Sequence, residues 1–201
     1  YSSVLGLRRK EEVTGDIERD DLGIFVHSAL RSYFSGKRGR QLTEADLAVG
    51  PMNLIIDDLF DREYGKDPSG ALYLLKRQIK RHMADVLKHY YTPLVKNQDV
   101  KVLECEETIQ VKVDSFTLKG RLDSVEQRDE RTVIIDFKTG SSPNYLRIDR
   151  DKLFLDRRET WGEAIGSLQL PFYILLYTEK NKRTIEEINA LFLFLGCAMV
   201  G

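Results

Sequence analysis

The chain has 201 residues, a length typical of one domain, and its content of 42% hydrophobic and 31% charged residues is ordinary for a soluble globular protein. A formal net charge of −1 excludes a histone-like basic protein, two cysteines exclude a disulfide framework, and no apolar run approaches the roughly 18 residues of a membrane span. We therefore expect a cytoplasmic domain, and the absence of an initiator methionine indicates a fragment of a longer chain.

Helical periodicity dominates the first half of the chain. Apolar residues recur at helical spacing over 18–35, and a second helical segment covers 43–64. Pro51 is expected to divide that second segment into two helices. A long helix is predicted from 68 to about 91, and Pro93 is expected to close it.

Strand patterns replace the helical ones after residue 100. The alternation of apolar and polar residues predicts a strand over 100–113, a turn near Asp114 and a second strand from 116 to about 125. The polar segment 126–131 is interpreted as a turn. The run 132–137 is typical of a short buried strand.

The last third of the chain returns to a helix and ends on a strand. The polar stretch 141–160 predicts a loop, 167–177 an apolar helix with Pro171 in its first turns, and 188–195 a final strand. This order of elements predicts an α/β or α+β domain with a helical insertion near its N-terminus.

Two charges at the end of the third strand are the densest chemical signal. Asp136 and Lys138 lie two residues apart, so on a strand their side chains share one face. Charges at the end of an apolar strand are costly unless they are paired, metal-bound or solvated. The backbone carbonyl of Phe137 is a further possible metal ligand. A local ion pair at a strand end is the alternative.

Asp123 strengthens the metal interpretation. The predicted hairpin turn near 128–130 places Asp123 opposite Asp136 on the neighbouring strand. Two carboxylates at this distance repel each other unless a divalent cation lies between them, and hard oxygen ligands favour Mg²⁺ or Mn²⁺ over Zn²⁺. The alternative is that Asp123 is a solvated strand residue.

Three further polar residues are open to both structural and functional interpretations. His27 lies among apolar residues early in the first helix, a position more typical of a core histidine than of a metal ligand. Gln169 and Tyr173 are four residues apart and therefore share one helix face. They could bind a phosphate or orient a catalytic lysine, although on their own they are more simply a capping and a core residue.

Together these residues form five motifs in a characteristic order, which spans almost the whole chain. The motifs are Tyr1–Leu7, Gly23–His27, Gly120-Arg121-Leu122-Asp123, Asp136-Phe137-Lys138-Thr139-Gly140 and Leu168–Tyr173. The set resembles the RecB-like branch of the PD-(D/E)XK nuclease superfamily, in particular the nuclease domains of AddB- and RecB-type helicase–nucleases. The resemblance implies a restriction-endonuclease-like mixed central sheet flanked by helices in a single domain, with 40–95 as the helical insertion.

The resemblance also implies a role for each residue of the site. It implies that one or two Mg²⁺ or Mn²⁺ ions are bound by His27, Asp123, Asp136 and the Phe137 carbonyl. The implied catalytic residues are Asp123, Asp136 and Lys138, of which Lys138 orients the attacking water or neutralises the transition state. Gln169 and Tyr173 would position Lys138 and the substrate backbone. The resemblance leaves open which of Glu104, Glu106 and Glu107, if any, corresponds to a further family carboxylate.

The implied function is a metal-dependent deoxyribonuclease in recombinational double-strand-break repair, with DNA as substrate and a helicase domain or subunit as partner. Some relatives hold an iron–sulfur cluster, but neither Cys105 nor Cys197 lies at the required place, so no cluster is expected in this fragment. A catalytically inactive nuclease-fold domain that binds DNA or acts as a scaffold is the alternative. RNA as substrate stays open.

Overall fold

A mixed β-sheet forms the centre of the protein. The structure is a computed structural model that describes residues 19–140, 146–154 and 156–196. Within these residues the strands lie side by side in the order β1 (Val100–Val113), β2 (Phe116–Arg128), β3 (Arg131–Lys138) and β4 (Ile188–Phe194). The first three are antiparallel neighbours, whereas β4 pairs in parallel with β3.

Helices precede the sheet and cross over between its last two strands. The α-helices are α1 (Arg19–Ser35), α2 (Val49–Tyr64), α3 (Ala71–Asp85), α4 (Thr92–Asn97), α5 (Trp161–Ala164) and α6 (Gln169–Asn181). A π-helix (Val86–Tyr91) joins α3 to α4, and short 3₁₀ helices cover Glu44–Leu47, Arg158–Thr160 and Ile185–Glu187. In the described part of the chain, no helix is both long and apolar enough to cross a membrane.

The two faces of the sheet are covered by two separate apolar cores. On β3, Val133, Ile135 and Phe137 pack against the core formed with α1 to α3, and Ile134 packs against α6 on the opposite face. This alternation follows from the two-residue period of a strand. The predicted fold class, a mixed sheet flanked by helices, is therefore confirmed.

Of the two predictions about proline in the helical region, the division of 43–64 into two helices is confirmed, although the break precedes Pro51, and the end of the long helix at Pro93 is wrong. The second helical segment breaks at Ala48, and Pro51 lies within the first turn of α2, where its missing N–H leaves no hydrogen bond unmade. The long helix does not end at Pro93, because the backbone N–H of Thr92 bonds to the carbonyl of Leu87 in the five-residue step of a π-helix. That step allows Pro93 to enter the first turn of α4.

The predicted polar turn over 126–131 is also wrong. The turn is confined to Asp129 and Glu130, and β2 continues to Arg128. Glu126 is completely buried there because the Tyr91 hydroxyl donates a 2.9 Å hydrogen bond to its Oε1, while Arg128 donates to Oε2 at 2.7 and 2.9 Å. Burial raises the pKa of Glu126, and the charge of Arg128 opposes that shift.

The remaining predictions of elements are largely confirmed. The first hairpin turns after Val113 and the final strand covers Ile188–Phe194, close to the predicted limits. The predicted loop over 141–160 is helical at its end, where a 3₁₀ helix leads into α5. Residues 141–145 and 155 of that loop, and the opening motif over 1–7, lie outside the described residues.

Candidate metal centre

β2 and β3 separate at the candidate site. Their ladder of paired residues ends at Ser124 and Ile135, which confirms the predicted register of the hairpin. Beyond this pair, a side chain replaces the backbone as the hydrogen-bond acceptor between the two strands. The Oδ2 atom of Asp123 accepts a 2.9 Å hydrogen bond from the backbone N–H of Phe137. This bond holds the carboxylate at the point where the two strands part.

His27 connects α1 to the same point of the sheet. Its Nδ1 lies 3.2 Å from Oδ1 of Asp123, and its Nε2 lies 2.9 Å from the carbonyl oxygen of Phe137. Burial acts to lower the pKa of His27, but the hydrogen bond and charge of Asp123 outweigh it and raise the pKa above its usual value. Since both partners accept hydrogen bonds, the doubly protonated ring satisfies both contacts, whereas a metal would require the neutral ring.

Asp136 and Lys138 form an ion pair that α6 holds in place. The Lys138 ammonium lies 2.6 Å from Oδ2 of Asp136 and donates a 2.9 Å hydrogen bond to Oε1 of Gln169. The Gln169 amide nitrogen donates to Oδ1 of Asp136 at 2.6 Å and to the Tyr173 hydroxyl at 2.7 Å. Burial raises the pKa of Asp136, Lys138 acts to lower it, and the charge of Asp123 acts to raise it.

All of the predicted site residues thus come together, in two groups that meet at the end of β3. One group joins His27, Asp123 and Phe137, and the other joins Asp136 to Lys138 and the helix α6. Across the described residues, no three His, Cys, Asp or Glu side chains are arranged to hold a metal ion. The candidate ligands are instead bonded to one another and to Lys138.

The chemistry of the donor set nevertheless fits a hard divalent cation. It comprises two carboxylates, a backbone carbonyl and an imidazole, and oxygen ligands of this kind suit Mg²⁺ and Mn²⁺. Oδ2 of Asp136 is buried and, despite the nearby ammonium, accepts no hydrogen bond of good geometry from the described residues. A cation that binds this oxygen would compete with the Lys138 ammonium, which lies 2.6 Å from it.

The three glutamates of β1 point to different parts of the protein. Each contacts a basic side chain: Glu104 pairs with Arg38, Glu106 with Arg31 and Glu107 with Lys180. Arg31 belongs to α1 and Lys180 to α6, so Glu106 and Glu107 lie on opposite faces of the sheet. Glu107 therefore shares the α6 face with Ile109, as strand phase requires.

Glu106 is the glutamate that lies beside the candidate site. Its neighbours Cys105 and Glu107 pair with Ser124 and Leu122, which places Glu106 alongside Asp123. Its φ of 52° is in the left-handed region, which is uncommon for a residue with a side chain. The Arg31 contact of 2.8 Å was not predicted, although Arg31 follows His27 by one helical turn and that spacing could have indicated it.

Gly120 allows α6 to approach the strand that carries Asp123. A Cβ atom at this position would lie 2.5 Å from Cδ1 of Leu176 and 3.4 Å from Cε1 of Phe172. Leu176 is completely buried, so its side chain cannot move aside without disturbing the core around it. The glycine thus sets the distance between β2 and the helix that supplies Gln169.

We expect Gly120→Ala to reduce the free energy of unfolding by about 1–3 kcal/mol, the usual cost of an added methyl group in a packed core. Urea unfolding of Gly120→Ala, Leu176→Val and the double variant measures it. Leu176→Val should recover part of the loss in the double variant, whereas strictly additive effects would show that the Leu176 contact is not the cause. The control is Gly50→Ala, since a Cβ at Gly50 meets no atom within 4 Å.

A family model described as the PD-(D/E)XK nuclease superfamily matches residues 1–201, the whole of the chain. No curated protein and no solved structure matches the chain.

Proposed function

The chain belongs to the PD-(D/E)XK nuclease superfamily, and on that premise we propose that it is a divalent-metal-dependent nuclease domain that hydrolyses the phosphodiester bonds of DNA. Membership indicates nuclease-type hydrolysis. The observation that carries the proposal for this chain is the convergence of His27, Asp123, Asp136 and Lys138 where β2 and β3 separate. These are the residues that the motifs assigned to the site.

The metal ligands in this proposal are the His27 ring, the Asp123 and Asp136 carboxylates and the Phe137 carbonyl. A bound Mg²⁺ or Mn²⁺ would lower the pKa of a water molecule and polarise the scissile phosphate. The backbone N–H of Phe137 orients the Asp123 carboxylate, and β3 carries both the carbonyl and Asp136. Two carboxylates and the carbonyl therefore lie on the adjacent strands β2 and β3, and the His27 ring reaches them from α1.

Lys138 supplies the positive charge that the reaction needs beside the phosphate. Its side chain is 25% exposed, and its ammonium contacts Asp136 and Gln169. We assign it the orientation of the attacking water or the neutralisation of negative charge in the transition state. Gln169 positions the ammonium, and Tyr173 in turn holds Gln169 beside the substrate backbone.

The order of the motifs also supports a narrower assignment. It favours the RecB-like branch and a relationship to AddB- and RecB-type helicase–nucleases. A domain of that kind would digest DNA as an exonuclease during recombinational repair, next to a helicase domain or subunit that delivers the strand.

The test is a cleavage assay on labelled single- and double-stranded DNA with Mg²⁺, with Mn²⁺ and with a chelator, and with RNA as competitor. We expect cleavage with either metal and none with the chelator. Calorimetric titration should show a divalent ion bound by the wild type and at least about tenfold weaker binding by Asp123→Asn, since even residues that only orient a ligand contribute about 10–100-fold.

The matched control for that titration is Asp129→Asn, a change of the same kind at the turn of the β2–β3 hairpin. We expect it to bind metal like the wild type. DNA binding without metal binding or cleavage would refute the nuclease proposal and favour the inactive DNA-binding or scaffold domain.

A further inference from the structure

The outer half of the β1–β2 hairpin has one face that no helix of the described residues covers. Three cross-strand pairs form it, and all six side chains are exposed: Thr108 with Arg121, Gln110 with Lys119, and Lys112 with Thr117. We call these six residues the basic face. The alternate residues of the same strands pack against α6 on the opposite side.

The charge on the basic face is entirely positive. Lys112, Lys119 and Arg121 contribute three cations and the other members are neutral, although the whole chain has a net charge of −1. Within the described residues none of the three forms an ion pair, in contrast to the lysines of α3, which pair with acids of α2. Uncompensated like charges on one sheet face repel each other, and an anionic partner would relieve that repulsion.

The basic face leads directly to the candidate metal centre. Arg121 precedes Asp123 by two residues on β2, so in an extended strand the two side chains lie on the same face. On β1 the same face continues from Thr108 to Glu106, which contacts Arg31 on α1. The α1 face of the sheet thus changes from cations at its outer end to acidic ligands at its inner end.

The side-chain types identify the partner. Lys, Arg, Thr and Gln are donors that proteins use to contact phosphate oxygens, and such contacts position a nucleic acid without reading its sequence. The basic face has no aromatic or apolar member, so it offers nothing for base stacking and no pocket for an apolar peptide side chain.

We infer that the basic face binds the phosphodiester backbone of the DNA substrate on one side of the scissile phosphate. The inference rests on the proposed function, which supplies the DNA strand and the cleavage site. A strand that lies along the hairpin would place its next phosphates over Asp123. The face would then contribute to affinity and positioning, and not to the chemical step.

The test compares two triple variants that remove the same charge. One replaces the basic face cations (Lys112→Gln, Lys119→Gln and Arg121→Gln), and the control replaces three exposed cations elsewhere (Arg81→Gln, Lys88→Gln and Lys101→Gln). Binding of a labelled single strand and of a duplex is measured by fluorescence anisotropy in a chelator over a series of salt concentrations. Circular dichroism confirms that both variants fold.

Loss of three phosphate contacts should reduce the slope of log K against log salt by about 2 for a single strand and by almost 3 for a duplex. The control should keep the wild-type slope. In cleavage assays with Mg²⁺ the basic-face variant should raise KM and leave kcat unchanged.

Equal slopes for the two triple variants, or no salt-dependent binding by the wild type, would overturn the inference. Failure of the proposed function gives a different result, because wild-type protein would then bind DNA with the expected slope and cleave nothing with either metal. Cleavage by the wild type with equal slopes for both variants would leave the nuclease assignment intact and remove only the role of the basic face.

Discussion

Lys138→Ala is expected to reduce the rate of DNA cleavage by about 100–1,000-fold, the usual effect of removing one group that stabilises charge in a transition state. The Lys138 ammonium lies 2.6 Å from Asp136 and is held by Gln169, so it is positioned before substrate binds. Single-turnover rates with saturating Mg²⁺ measure the effect. Metal binding should persist, because no ligand has been removed.

Two further variants make this result interpretable. Asp136→Asn removes a proposed ligand, so it should lose metal binding together with cleavage. Lys180→Ala removes a lysine that also contacts an acidic residue, Glu107, but on the α6 side of the sheet, and it should cleave at the wild-type rate. Full activity of Lys138→Ala would exclude the role proposed for that residue.

The second large effect is expected at the buried pair of Glu126 and Arg128. Glu126→Gln should reduce the free energy of unfolding by about 3–5 kcal/mol, because it leaves the Arg128 guanidinium, whose side chain is only 11% exposed, without its carboxylate. At about 2–4 °C per kcal/mol for a chain of this size, the melting temperature should decrease by about 6–20 °C. Scanning calorimetry measures this change.

An exposed ion pair provides the control for that measurement. Glu187 lies 3.8 Å from Arg183 on the surface, and Glu187→Gln should change stability by less than about 1 kcal/mol. The double variant Glu126→Gln with Arg128→Met should be more stable than Glu126→Gln alone, since it removes the unpaired charge. A loss below about 1 kcal/mol in Glu126→Gln would show that the network does not hold the helical layer on the sheet.

The hydrogen bonds of Glu126 and Arg128 explain why the predicted polar turn over 126–131 is wrong. Glu126 and Arg128 are polar residues near a turn, and local patterns assign such residues to the surface. Their burial depends on the Tyr90 and Tyr91 hydroxyls, which are 35 or more positions away in the chain. No local pattern contains that information.

The prediction that the long helix ends at Pro93 is wrong for a related reason. A proline ends a regular α-helix because of its ring and its missing N–H, and the prediction for Pro93 assumes that the helix before it is regular. The π-helix over Val86–Tyr91 changes the hydrogen-bond step, and packing of Val86, Leu87 and Tyr91 into the core accompanies that change.

The sequence by itself determined the strand order along the chain, the register of the hairpin that carries Asp123 and Asp136, and the shared face of Asp136 and Lys138. These features depend on the two-residue period of a strand and on the length of a turn, which are local properties. The family resemblance also implied His27, Gln169 and Tyr173 as residues of the site, although each alone indicated a structural residue.

Only the tertiary structure decided how these residues contact one another. The His27 ring reaches both Asp123 and the Phe137 carbonyl because α1 packs on the sheet, and Glu106 rather than Glu107 lies beside Asp123 because the pairing of β1 with β2 places it there. The tertiary structure also decided that the three cations of the basic face lie on one face of the hairpin. A net charge of −1 sums over the whole chain, whereas a binding surface depends on which side chains the strands place together.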